Sequence, residues 1–198
     1  SRLLVGLALV FVSVGFISPA APAAAQDAVV AYNPNVLDYG IYWFGRGNVS
    51  QKAVAGVANP YYDPNRPTVI YFHGWQNGST QRGSRETFNY KQNDPNYGVD
   101  VNMADAWIDR GWNIGIFYWN QFADEGEVKD AEAKIWSASG PRGMRWRRAD
   151  GRYSTSGAPS VSAATLFVQE YRAVMAGHAG PNVRLVGHSL GSQMAVTR

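Results

Sequence analysis

Two short stretches of the sequence combine residue types that can do covalent chemistry. The first is Gly187-His188-Ser189-Leu190-Gly191, a serine with a glycine two residues away on either side. A serine in the pattern G-x-S-x-G can stand on a sharp strand-to-helix turn, where a side chain at either glycine would collide with the neighbouring strand or helix. Such a turn lifts Oγ clear of a sheet. It also aims the next backbone N–H, that of Leu190, at the place where an oxyanion would form. The context agrees, since the apolar run VRLV (residues 183–186) ends directly before Gly187 and helix-compatible sequence follows. The second stretch is His73-Gly74-Trp75-Gln76-Asn77-Gly78, behind the apolar run TVIYF of residues 68–72. Gly74 allows the backbone to turn closely, which leaves the Trp75 N–H as a second donor. The plainer reading of this stretch is a tight turn in which Trp75 only packs.

Taken in this order, His73-Gly74-Trp75 behind one buried strand and Gly187-His188-Ser189-Leu190-Gly191 behind another resemble the α/β-hydrolase lipases of the pancreatic and lipoprotein lipase type. The resemblance runs from about residue 67 to the end of the sequence. It implies an α/β-hydrolase fold in which Ser189 accepts the acyl group and the N–H groups of Trp75 and Leu190 form the oxyanion hole. His73, Gly74, Gly187, His188 and Gly191 would support that site. The substrate implied is a carboxylic ester, an acylglycerol or other lipid ester, and no metal or organic cofactor is required. Two alternatives stay open: an inactive lipase-like relative that binds lipid or protein, and another chemistry of the same machinery, on amides or polyesters.

One departure from the family is serious. Its triad runs Ser, then Asp or Glu, then His along the chain. Nine residues follow Ser189, and none is acidic or a histidine. His73 is expected to brace the second stretch, and His188 to point away from the Ser189 hydroxyl. His178 is expected at the surface just past a helix, where a cation is mildly favoured. Acid and base are therefore expected after Arg198, and the sequence is read as the N-terminal portion of a C-terminally truncated domain. Residues 26–198 alone are expected to fold poorly and to be inactive, with the strand before Ser189 left as an unpaired edge.

Strands alternating with helices would position these stretches. Residues 38–44 (DYGIYWF) are aromatic and β-prone, ending at the turn signal Gly45-Arg46-Gly47; a proline-rich connector occupies residues 60–67. Residues 68–72, 112–119 and 183–186 are continuous apolar runs, as expected of strands covered on both faces. Met103, Ala104, Trp107, Ile108 and Gly111 share one helical face, with Asp100 or Asn102 as cap. Residues 160–177 form the clearest helix: Ala164, Phe167, Val168, Tyr171, Val174 and Met175 keep helical spacing, Ser160 or Ser162 suits the N-cap and Gly177 the C-terminal stop. Residues 192–198 read as a further helix. The alternation calls for an α/β fold, a mostly parallel sheet with helices on both faces.

About residues 120–159 look like an insertion. Residues 124–136 are acidic and helix-compatible; Arg142, Arg145, Arg147, Arg148 and Arg152 follow, beside Trp146 and Tyr153. The plain reading is a solvated surface excursion whose charges pair internally. The sharper one is a flap making peripheral contact with anionic lipid or an acidic partner.

Residues 3–17 are almost wholly apolar behind Arg2, and Ala23-Ala24-Ala25 precedes Gln26, the signature of a secretory signal peptide over residues 1–25. A retained anchor is the rival reading, disfavoured by a short apolar run and by Pro19 and Pro22. The sequence begins with Ser1 and has a one-residue charged region, so N-terminal sequence is expected to be missing. A secreted, extracellular location follows from the leader. The 198 residues include no cysteine, 45% are hydrophobic and 13% aromatic, which excludes a disordered chain, a disulfide scaffold and a cysteine-ligated zinc site. A net charge of +3 is too small to argue for a nucleic-acid partner. Asn48-Val49-Ser50 and Asn77-Gly78-Ser79 match glycosylation acceptors, relevant only in a eukaryotic source.

Overall fold

The computed structural model describes residues 32–90 and 101–196. The leader expected over residues 1–25 and the candidate cap Asp100 lie outside them. Five strands form the central sheet: β1 (Gly40–Phe44), β2 (Ser50–Lys52), β3 (Thr68–Phe72), β4 (Asn113–Tyr118) and β5 (Val183–Gly187), in the spatial order β2-β1-β4-β3-β5. β3 lies parallel between β4 and β5, as the three apolar runs imply. β1 pairs antiparallel with both β4 and β2.

The sheet is therefore mixed rather than mostly parallel. The reason is local: parallel neighbours need a crossover of a dozen or more residues, whereas a tight hairpin joins β1 to β2. In that hairpin Gly45 N–H donates to the Val49 carbonyl (2.9 Å), and Gly47 and Asn48 take positive φ. Trp43 lies opposite Gly115 across the β1–β4 ladder. A β-carbon at Gly115 would come within 2.7 Å of the Trp43 indole, so the glycine makes room for the ring.

The helices are α1 (Met103–Ile108), α2 (Asn120–Ala123), α3 (Val128–Trp136), α4 (Ala163–Val174) and α5 (Leu190–Ala195). Asn102 caps α1 by accepting from the Ala104 and Asp105 N–H groups, and Ser162 caps α4 by accepting from Thr165. Alternation along the strands splits the core in two. Ile41, Trp43, Ile70, Phe72 and Phe117 join Phe167 of α4 and Met194 of α5, while Val69, Ile114, Ile116 and Tyr118 join Ala104 of α1. Helices thus cover both faces. β5 is the edge, and Arg184 and Val186 on its outer face are exposed.

Residues 120–159 are not a solvated excursion. Asn120, Gln121, Phe122 and Ala123 of α2 are buried, and Ile135, Met144 and Trp146 belong to the main core. Glu125 and Lys134 are buried as an ion pair at 2.6 Å. Three of the five arginines pair internally: Arg142 with Asp130 (2.9 Å), Arg145 with Glu125 and Arg152 with Asp150 (2.8 Å), whereas Arg147 and Arg148 form no ion pair among the described residues. Arg147 donates to the Tyr153 hydroxyl and to Gln81. Among the described residues, no helix is long and apolar enough to cross a membrane.

Candidate active site

β5 ends at Gly187 and α5 begins at Leu190, which leaves Ser189 on the turn between them with φ 55° and ψ −126°. Asn48 and Ser189 are the non-glycine residues at positive φ among the described residues. Holding a serine there costs on the order of 1–3 kcal/mol, so the surroundings must impose it. Two glycines make that possible. A β-carbon at Gly187 would collide with the Gly191 backbone, and one at Gly191 would come within 2.8 Å of the His73 carbonyl and closer still to that of Phe72. The turn is closed by Gly191 N–H donating to the His188 carbonyl and Ser192 N–H to that of Ser189, both at 2.9 Å. The Ser192 hydroxyl adds a bond to the Gly187 carbonyl, and His188 N–H ties the turn to Phe72 of β3.

The parallel pairing of β3 with β5 places Phe72 beside Gly187 and so brings the two sequence stretches together. Gly74 is buried against the serine. A β-carbon there would lie 2.8 Å from Ser189 Cβ and 3.3 Å from its Oγ. Trp75 follows directly, its indole partly exposed and its Nε1–H donating to the Glu125 carbonyl (2.8 Å). Among the described residues neither the Trp75 nor the Leu190 backbone N–H is engaged by an acceptor. An exposed serine on such a turn, followed by the unengaged Leu190 N–H and packed against the residue before Trp75, is an arrangement that could attack a carbonyl and hold an oxyanion once a base is supplied.

His73 is buried with both ring nitrogens occupied. Trp119 N–H donates to Nε2 (3.2 Å), so the ring proton sits on Nδ1, which donates to the Gly74 carbonyl (2.9 Å). The ring stacks on Trp119 at 5.6 Å, and the Trp119 indole N–H donates back to the His73 carbonyl. Burial pushes the imidazole pKa down to about 4, opposed by the bond to Gly74. His73 is thus a neutral brace for the loop.

A pH dependence follows. Because the folded state holds this pKa below the unfolded value of about 6.5, its contribution to stability is complete above pH 6.5 and is lost as pH falls towards 4. The loss is on the order of 3 kcal/mol over that window. Urea midpoints at pH 7 and pH 4.5 should show it, and His73→Gln should flatten the dependence; equal slopes for the two proteins would contradict the assignment.

Neither of the other histidines hydrogen-bonds the serine hydroxyl among the described residues. The His188 side chain is exposed and makes no hydrogen bond among the described residues. His178 lies partly exposed just past α4, held against the connector rather than free in solvent. Ala179 and Gly180 N–H groups donate to the Pro64 carbonyl and draw the end of α4 onto the connector, where His178 Nδ1 lies 2.9 Å from the Tyr62 hydroxyl. Its Nε2 is buried without a partner among the described residues, and burial lowers its pKa, which favours the neutral ring.

Sequence reasoning missed the residues under the loop. Ala123, Asp124 and Glu125 all accept hydrogen bonds from residues 75–80. Their acidic run gave the opposite signal, that of a solvated helix. Compared with protein families, with curated proteins and with solved structures, the chain matches none. Its fold is that of an α/β protein: a mixed five-stranded sheet, helices on both faces and a serine-centred strand–turn–helix at the end of β5.

Proposed function

We propose that the protein is a secreted serine hydrolase of carboxylic esters, lipase-like, working through an acyl-enzyme on Ser189. The observation that carries this reading is the positive-φ Ser189 with Gly74 packed against it. Ser189 Oγ would add to the ester carbonyl while its proton passes to a base, and the N–H groups of Trp75 and Leu190 would hold the oxyanion. Collapse of the tetrahedral intermediate expels the alcohol and leaves an acyl-serine, which water then cleaves to the acid and free Ser189.

The base cannot be His73, whose nitrogens are both bonded and whose pKa is depressed by burial. The reading therefore requires an Asp or Glu and then a His after the serine turn, in that chain order. The apolar leader with its Ala23-Ala24-Ala25 site supports secretion. Arg142, Arg145, Arg147 and Arg152 have internal partners and Arg148 forms no ion pair among the described residues, so the proposal rests on the serine site rather than on a basic flap for lipid.

The full-length protein should hydrolyse p-nitrophenyl esters of graded acyl length and leave the matching p-nitroanilides essentially intact. Ester binding without turnover would replace this reading with that of an inactive relative. Faster anilide cleavage would replace it with an amidase.

A further inference from the structure

We propose that Asp124 is a positioning residue for this site, its carboxylate setting the backbone of the loop after β3 so that the Trp75 N–H stays beside Ser189. This rests on the ester-hydrolase reading above.

Asp124 is fully buried, and no cation lies within ion-pair distance of it among the described residues. An isolated buried carboxylate is costly unless hydrogen bonds replace its water. Here one oxygen accepts from Gly78 N–H (2.7 Å) and the other from Thr80 N–H (2.9 Å). Bonds from N–H groups to a charged acceptor are about twice as strong as neutral ones. An apolar side chain in the same space would leave the buried Thr80 N–H and the partly buried Gly78 N–H unpaired. Carboxylate and loop therefore fix each other, and Gly78 reaches the required conformation at φ 74°, where a side chain would be strained.

The neighbours of Asp124 grip the same loop. The Ala123 carbonyl accepts from Gln76 N–H (3.2 Å) and the Glu125 carbonyl from the Trp75 indole (2.8 Å). The base of this clamp is itself anchored, because the Glu125 carboxylate bonds Lys134 and Arg145. Three successive residues thus hold the loop from Trp75 to Thr80, while Gly74 packs on Ser189 at its start. Asp124 touches no reacting atom; it acts through the placement of one N–H.

The test uses Asp124→Asn in the full-length protein, which keeps the side-chain shape but turns one acceptor into a donor. On a p-nitrophenyl ester, kcat should fall about 100-fold, the scale of a misplaced catalytic group, with KM within about twofold of wild type. Amide hydrogen exchange at Gly78 and Thr80 should accelerate in the variant while β3 stays protected. In the unmutated protein those two amides should exchange as slowly as β3, a measurement that stands even if the variant fails to fold. A kcat within threefold of wild type, or fast exchange at both amides in the wild type, overturns the proposal. A wild-type protein without ester turnover overturns the hydrolase reading instead; faster exchange in Asp124→Asn then still upholds the hold on the loop, and unchanged exchange removes that as well.

Discussion

Ser189→Ala should lower kcat for a p-nitrophenyl ester by about 10⁴-fold or more in the full-length protein, with little change in KM. The substitution removes the atom that forms the covalent bond and nothing that packs the core, since the serine side chain is exposed. Ser189→Gly should abolish activity to the same extent yet unfold at higher urea than Ser189→Ala, by about 1 kcal/mol. Glycine enters the region around φ 55° and ψ −126° without steric cost, whereas alanine retains the strain. A glycine variant no more stable than the alanine one would show that the turn stores no strain. Retained turnover in either would remove Ser189 from the chemistry.

Lys134→Met should destabilise the protein by about 3–5 kcal/mol, read as a drop in the urea midpoint at pH 7. The ammonium is buried, and its hydrogen bonds run to Glu125 Oε1 (2.6 Å), the Phe122 carbonyl (3.0 Å) and the Arg145 carbonyl (2.6 Å). Burial pulls the lysine pKa down. Burial also pushes the Glu125 carboxyl up, but the bonds from Arg145 and Lys134 outweigh that and hold it below the usual range. Methionine fills similar space while leaving two carbonyls without donors and a buried carboxylate with Arg145 alone. Adding Glu125→Gln to Lys134→Met should recover part of the loss, because the unpaired charge then disappears. A loss below about 1 kcal/mol for the single variant would mean that water enters and solvates Glu125.

These two sites differ in how far the sequence announces them. Glycine spacing around Ser189 is a steric requirement of a single turn, so it is visible in five consecutive residues. The strands at residues 68–72 and 113–118 are legible for a related reason: burial by neighbours on both sides leaves a continuous apolar run. The run before Gly187 reads the same way, yet its strand is the sheet edge and alternates partly buried with exposed residues. The direction of β1 is not legible, because alternation says nothing about which neighbour a strand joins. β2, reading Ser-Gln-Lys, carries no apolar signal at all. Lys134, Glu125 and Asp124 are hidden by the same logic reversed. A charged side chain reads as solvated, and only the meeting of α3, the arginine segment and the loop after β3 supplies the partners that allow burial. His73 shows the intermediate case: its bracing role could be inferred from its place in the motif, but the Trp119 amide that fixes its ring proton could not.

The most direct measurement is to treat the full-length protein with a fluorophosphonate and locate the adduct by peptide mass spectrometry. The expected result is a single stoichiometric modification on Ser189, absent from Ser189→Ala. No adduct, or one on another serine such as Ser192 with Ser189 untouched, would contradict the claim that this turn carries an activated nucleophile.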